Sequence, residues 1–332
     1  MFIIRSVENS DLDELMELSK LANFINLPSN LEMLKEKIAS SQKSFKNPSS
    51  DLWKNNYFFV LEDLDKKKIA GVSMIHAQHG TREEPHFYLA VGKEKKYSKT
   101  LRQGHIHGTL TLGFDQDGPT EIGGLVLHPQ YRGKKLGKQL SLVRFLYLAI
   151  HPENFKDTIH AELLPPFDSN GNSPLWEAIG RRFLNMDYQE ADDLSRTNKE
   201  FILDLFPREK IYETLLPMDA RNAIGKVGKT TIPVKKMLEK IGFKYTEEID
   251  PFDGGPHYRA KLDKITTVEN MFQGEIVSSE NFSPTNASHV ILSLPCEEGK
   301  FLATQININL KDNKIIPERD LEIGFKTSGV FI

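Results

Sequence analysis

The sequence predicts an α+β fold, a mixed twisted sheet flanked by helices and followed by a small β domain. Three observations predict it. A strand, a basic glycine loop, a helix and a second strand succeed one another over 121–164, the order of a parallel crossover. Two apolar extended runs, YFFVLE (57–62) and IAGVSMIH (69–76), flank the turn DLDKKK and read as an antiparallel hairpin. Beyond about residue 265, helical periodicity gives way to short strands split by Gly, Asn and Pro.

In chain order, FIIRSV (2–7) reads as a strand, and Ser10 then caps a helix with Leu12, Leu15, Met16, Ser19 and Ala22 on one face. A second helix follows over 30–45. FYLAV (87–91) is extended, and the Gly- and Lys-rich 92–118 reads as a loop excursion. EIGGLVL (121–127) is a strand whose paired Gly123 and Gly124 mark a bulge or a close backbone approach. Leu136, Leu140, Val143, Tyr147 and Ile150 then recur at helical spacing, and DTIHAELL (157–164) returns as a strand. Ser173 is placed as an N-cap with Pro174 at the first helical position and Leu175, Ile179 and Phe183 as the buried stripe. Short helices fill 197–225. PVKKMLEKIGFKY (233–245) is a helix stopped at Gly242 and followed by a strand, and HYRAKL (257–262) completes a hairpin after the turn DGGP. The expected division is a first domain over 1–264, with a helical insertion around 166–230, and a β domain over 265–332.

The composition excludes several classes. At 332 residues, 39% hydrophobic and 27% charged, the chain is long enough for well-buried cores and too apolar to be disordered. A formal net charge of −3 argues against nucleic acid as the main partner. Cys296 is the only cysteine, so no intrachain disulfide or cysteine zinc site is expected and a reducing cytoplasm fits. No stretch reads as a membrane span or a targeting segment.

LVLHPQYRGKKLG (125–137) carries the most chemistry. A helix start bears partial positive charge and N–H groups without intrahelical partners, and a phosphate can accept both. Gly133 and Gly137 let the backbone approach an anion, while Arg132, Lys134, Lys135 and Lys138 add positive potential. Strand, loop and helix together resemble the acyl-CoA motif of the GNAT acyltransferases, matched here as Arg132-x-x-Lys135-x-Gly137. A lysine stands at the motif's middle glycine. The resemblance implies CoA contacts from Leu125, Val126, Leu127, Arg132, Gly133, Lys134, Lys135, Leu136, Gly137 and Lys138.

The remainder resembles the arginine N-succinyltransferase family. IIRSVENSDLDELMELS, YFFVLED, TEIGGLVLHPQYR, SPLWEAIGRRFLNMDYQEADDL and LEKIGFKYTEEIDPFDGGP match it in order and spacing over nearly the whole chain. The resemblance implies a GNAT-like core with a helical insertion and a β-barrel-like C-terminal domain, and an enzyme that transfers succinyl from succinyl-CoA to the α-amine of arginine. It also implies homo-oligomers, or hetero-oligomers with a related subunit. Two positions depart from the family: its His-Pro is Gly228-Lys229 here, and the cysteine usual in the bulged strand is Gly123 or Gly124.

Acyl transfer to an amine needs a neutral nitrogen and a stabilised oxyanion. A general acid matters less, because a thiol is a good leaving group; Leu238 accordingly stands where many GNAT enzymes have a tyrosine. Glu121 is the favoured base, with a solvated strand end as its alternative. Glu162 acts through a water, holds the acceptor's cation, or is structural. Family positions assign acceptor binding to Arg182, Asp187, Asp192 and Asp253; the alternative for Asp187 and Asp192 is that they merely cap the segment between helices. Lys93, Lys95, Lys96 and Lys99 would neutralise the succinyl carboxylate or form a solvated face. His105 and His107 share a face if extended, but with no third ligand in view no metal is expected. Two other readings stay open: a different acyl-CoA-dependent amine acyltransferase, motivated by Gly228, and a non-catalytic partner subunit, motivated by Lys135.

Overall fold

The structure is a computed structural model and describes residues 1–22, 27–195 and 198–332. The chain forms two compact units, one of residues 1–78, 119–159 and 261–332, the other of 79–118 and 160–260. This grouping differs from the division expected at 264/265. The strand Leu302–Lys311 pairs antiparallel with the first strand, Phe2–Ser6, in register Ile4↔Ala303, so the C-terminal strands continue the N-terminal sheet.

In the first unit the strand order is Ser288–Ser293, Lys326–Phe331, Phe272–Ile276, Lys314–Pro317, Leu302–Lys311, Phe2–Ser6, Asn56–Asp63, Lys68–His76, Thr120–Leu127. The first of these also pairs with Leu302–Lys311, at Val290↔Ile306. That second pairing closes a small barrel, filled by Ile276, Val290, Leu292, Ile306, Ile308 and Ile315. The small C-terminal β barrel that the resemblance implies is therefore present, as part of the first unit.

Two helix starts near the N-terminus of this unit follow side-chain capping. Asn30 accepts from the Met33 N–H at 3.1 Å and opens Leu31–Lys46. Ser10 is not the cap expected: Glu8 and Asp11 form a reciprocal capping box, and Asp11 also accepts from the two terminal guanidinium nitrogens of Arg5, each at 2.8 Å. The crossover helix Leu136–Ile150 is buried nearly all round, including Gln139 and Arg144. It packs against the strands Lys68–His76 and Thr120–Leu127 and also against the barrel strands Ser288–Ser293 and Lys326–Phe331, so it has no broad solvent face.

The second unit orders its strands as Thr158–Glu162, Pro256–Lys261, Lys244–Ile249, His86–Ser98, Gln103–Asp115, Ile211–Tyr212. The loop expected over 92–118 is instead a hairpin of two 13-residue strands, paired from His86↔Asp115 to Ser98↔Gln103. Its outer half carries polar side chains on both faces, which hides the strand alternation. Ser173 caps its helix by accepting from Trp176 N–H at 3.1 Å, with Pro174 at the first position. That helix breaks at Ile179, which turns Phe183 out to 56% exposure and off the expected stripe. Trp176 stacks on Phe252, centroids 4.9 Å apart, at the centre of a core with Leu89, Leu110, Leu175 and Ile249. Short helices Glu200–Leu205 and Met218–Ala223 lie within the expected 197–225; residue 197 itself is outside the described residues. Among the described residues no helix is long and apolar enough to cross a membrane.

Candidate active site

The strand Thr120–Leu127 is bulged where the sequence predicts it. Its register against Lys68–His76 slips between Val72 and Met74, whose partners are Val126 and Gly123. Gly124 has φ +57°, and a Cβ there would stand 2.9 Å from Met74 Sδ, so only glycine fits. The bulge is held from below by Arg144: Nη1 donates to the Gly123 carbonyl at 3.1 Å, while Nε and Nη2 donate to Ser141 O and Oγ at 3.0 and 2.6 Å. Burial lowers Arg144 to about 9, against the pull of the Glu121 charge.

After the bulge the chain runs through an exposed loop to the helix start at Leu136. Gly133 has φ +81°, and Lys135 sits in the left-handed region at φ 61°, ψ 7°. Lysine thus adopts the conformation that suits the glycine of the motif it departs from. No side chain caps this helix; the Lys138 N–H bonds the Lys135 carbonyl at 3.1 Å, and the N–H groups before it have no side-chain partner. Arg132, Gly133, Lys134, Lys135 and Lys138 are exposed around it, and Leu136 is buried.

Glu121 opens the same strand and is only 5% exposed. It pairs in register with His76, which lines a cavity of about 260 Å³ together with Glu36, Lys37, Asn56, Tyr57 and Met74. The cavity therefore lies one strand from the bulge.

The second unit builds a polar cluster around Glu162 that was not legible in advance. His86 Nε2, His160 Nε2 and His257 Nε2 stand 2.9, 3.3 and 3.7 Å from Glu162 Oε1. Behind them, Arg259 donates from Nε to His160 Nδ1 at 3.1 Å and pairs through Nη2 with Asp115 at 2.8 Å and Glu248 at 3.0 Å. Burial disfavours a charged His86, but hydrogen bonds and charge from Asp115 and Glu162 outweigh it and raise His86 to about 9. His160 is pushed down to about 3 by burial and by the neighbouring His257 and His86. Burial acts to raise Glu162, yet the hydrogen bonds of His160 and His86 hold it well below the carboxylate range.

The acceptor candidates fall into two groups. Arg182 and Asp187 are exposed, and Asp187 is ion-paired with Arg181. Asp192 and Asp253 are buried, and their charges bear on each other: burial and then Asp250, Glu162 and Asp192 keep Asp253 well above its usual range. Lys93, Lys95, Lys96 and Lys99 are exposed on the long hairpin or at its turn, and Leu238 is core. Gly228 donates to Leu164 O at 2.9 Å, and a Cβ there would meet Pro165 O at 2.8 Å, so the family's histidine does not fit this backbone. His105 and His107 do share a strand, with His107 Nδ1 3.1 Å from Thr214 Oγ1.

A family model described as arginine N-succinyltransferase beta subunit matches residues 2–267. The chain belongs to the arginine N-succinyltransferase family. The enzyme of that name from Yersinia enterocolitica is 34% identical over 316 residues, covering 94% of this chain and 90% of that one. The one from Photorhabdus laumondii is 33% identical over 318 residues, covering 95% and 92%. Among solved structures, subunit AI of an arginine/ornithine succinyltransferase from Pseudomonas aeruginosa is similar with a TM-score of 0.85 at 25% identity, covering 100% of this chain and 98% of that one. The mixed sheet and closed barrel are thus those of the arginine N-succinyltransferase family.

Proposed function

We propose that this protein is an acyl-CoA-dependent acyltransferase that moves the succinyl group of succinyl-CoA to the α-amine of arginine, in arginine catabolism. The amine nitrogen attacks the thioester carbonyl, the C–S bond breaks, CoA leaves as thiolate, and the amine proton passes to a carboxylate. The observation that carries this reading is the uncapped helix start at Leu136, reached from a glycine-bulged strand through a loop rich in cations. It supports CoA pyrophosphate at Arg132–Lys138 and pantetheine along Leu125, Val126 and Leu127.

Glu121 is our first choice of base, because it heads the bulged strand. Glu162 is the second carboxylate, acting through a water or on the acceptor's cation. Arg182 would take the acceptor's α-carboxylate, and Asp187, Asp192 and Asp253 its guanidinium; a bound guanidinium relieves the mutual repulsion of the last two. The lone cysteine fits a cytoplasmic enzyme.

Thiol release from succinyl-CoA with arginine tests the proposal, with ornithine, agmatine and acetyl-CoA as further arms. Arginine-dependent release supports it. Release only with another acceptor or acyl group sinks it in favour of a relative with a changed pocket, which Gly228 motivates. The Pseudomonas relative is described as a subunit, which favours an oligomer and keeps a second reading: activity only beside a related chain. Light scattering of the purified chain decides between these assemblies.

A further inference from the structure

The Glu162 cluster contains a buried side chain that the transfer reaction does not use. His257 is fully buried, and neither ring nitrogen has a hydrogen-bond partner; its nearest carboxylates, Glu162 and Glu248, are 3.7 and 3.8 Å away. A buried imidazole left that way costs stability unless something else occupies its lone pair. The ligand atoms of His86, His160, Glu162 and His257 all lie within 4.8 Å of one another. The 2.9 and 3.7 Å separations of His86 and His257 from Glu162 bracket the edge of a tetrahedron with bonds of about 2.0–2.1 Å, which is about 3.3 Å.

The hydrogen polarity assigns the parts. Arg259 can only donate, so His160 accepts at Nδ1, carries its proton on Nε2, and gives it to Glu162. His160 is therefore an outer partner that orients the carboxylate. His86 and His257 have the reverse arrangement, with Nδ1 facing Asp115 at 3.4 Å and Glu248 at 3.8 Å and Nε2 facing inward. A carboxylate behind each ligating imidazole is the usual outer shell of a metal site. Charge agrees. Glu162, Asp115 and Glu248 bring three negative charges and Arg259 one positive, so neutral histidines leave an excess that one divalent cation cancels.

We propose that His86 Nε2, His257 Nε2 and Glu162 Oε1 form a three-ligand site for a divalent first-row transition ion, best suited to Zn²⁺. The ion takes the place of the proton shared between His86 and Glu162. Glu162 is the most open of the three, with its side chain 30% exposed, so the fourth position faces outward from the buried imidazoles. The ion ties together three strands, His86–Ser98, Thr158–Glu162 and Pro256–Lys261. In a loaded site Glu162 is a ligand, which leaves Glu121 as the base.

The test uses the untagged full chain without CoA or arginine, so its outcome is independent of the proposed transfer. After EDTA treatment and removal of the chelator, the chain should take up one Zn²⁺ by calorimetry and elemental analysis, and Co²⁺ should give visible bands that Zn²⁺ erases. His257→Ala and His86→Ala should lose uptake. His160→Gln, an outer partner, should weaken it roughly 10–100-fold. His105→Ala should change nothing. Zn²⁺ should raise the melting temperature of the parent, a readout that needs no variant to fold. No uptake by the parent, uptake that survives in both His257→Ala and His86→Ala, or a melting temperature unmoved by Zn²⁺ would overturn the site.

Discussion

Arg144 donates through Nη1 to the Gly123 carbonyl at 3.1 Å, from a helix position that is 2% exposed. A backbone carbonyl turned inward to a buried guanidinium fixes the peptide planes on either side of the bulge. The position of any N–H that meets an oxyanion at this strand therefore depends on a side chain twenty-one residues away.

Arg144→Lys keeps the charge but cannot bridge Gly123 and both Ser141 acceptors at once. We expect a stability loss of roughly 1–3 kcal/mol, from an under-satisfied buried network. With the bulge loosened, kcat should fall about tenfold while the KM for the acyl-CoA stays within a few-fold, the pattern of an interaction felt in the transition state. Chemical denaturation and steady-state kinetics check both parts. An unchanged kcat would show that the bulge holds without Arg144.

The loop makes a second prediction. A Cβ on Gly137 would meet only Leu127 Cδ2, at 3.9 Å, so the position is open. Gly137→Ala should fold normally and lose little CoA affinity. Gly137→Glu puts an anion at the positive end of the helix and should abolish binding. Calorimetry with CoA distinguishes them; equal affinity for the two variants means that the pyrophosphate binds elsewhere.

What could be read in advance followed local chemistry. Gly123 and Gly124 announced the bulge, Ser173-Pro174 a helix start, DGGP a turn, and 265–332 a run of short strands, because each is set by residues adjacent in sequence; the barrel came only with the family resemblance, since its closure needs Phe272–Ile276 and Ser288–Ser293 both to pair with Lys326–Phe331. Tertiary contacts decided the rest. The helix 136–150 reads as amphipathic, yet the barrel covers its other face. The hairpin 86–115 has too few apolar alternations to announce itself. His86, His160, Glu162 and His257 meet only because three strands distant in sequence align, and GHIHG offered the more visible pair of histidines for a metal.

The two carboxylates named for the proton step make opposite predictions. Glu121 is buried beside a guanidinium, whereas Glu162 is locked as an acceptor by His86 and His160. Glu121→Gln should lower kcat by roughly 10²–10⁴-fold with CoA affinity nearly intact. Glu162→Gln should mainly lower stability and Zn²⁺ uptake, since it removes the charge that its histidines face. Rate profiles over pH 6–9 check this. If Glu121→Gln stays within a few-fold of the parent, the base is elsewhere, and Glu162 is the next candidate only if the chain takes up no Zn²⁺.

The last prediction concerns Asp250, which accepts the Phe252 and Asp253 N–H groups at 2.7 and 2.8 Å in the turn that carries DGGP. Burial, and then the Glu162 charge, raise it to about 6 from 3.8. The folded chain then holds a proton that the unfolded chain has already released, so stability falls as pH rises from near 4 through 6. Full burial would make this close to 3 kcal/mol, and partial exposure reduces it to about 1 kcal/mol. Asp250→Asn keeps Oδ1 for both N–H groups and cannot ionise. In EDTA, its melting temperature should equal the parent's at pH 4 and exceed it by roughly 2 °C at pH 7.5. Parallel curves across that range, or a variant less stable at both ends, would mean that Asp250 ionises at its ordinary value and that its charge helps the turn.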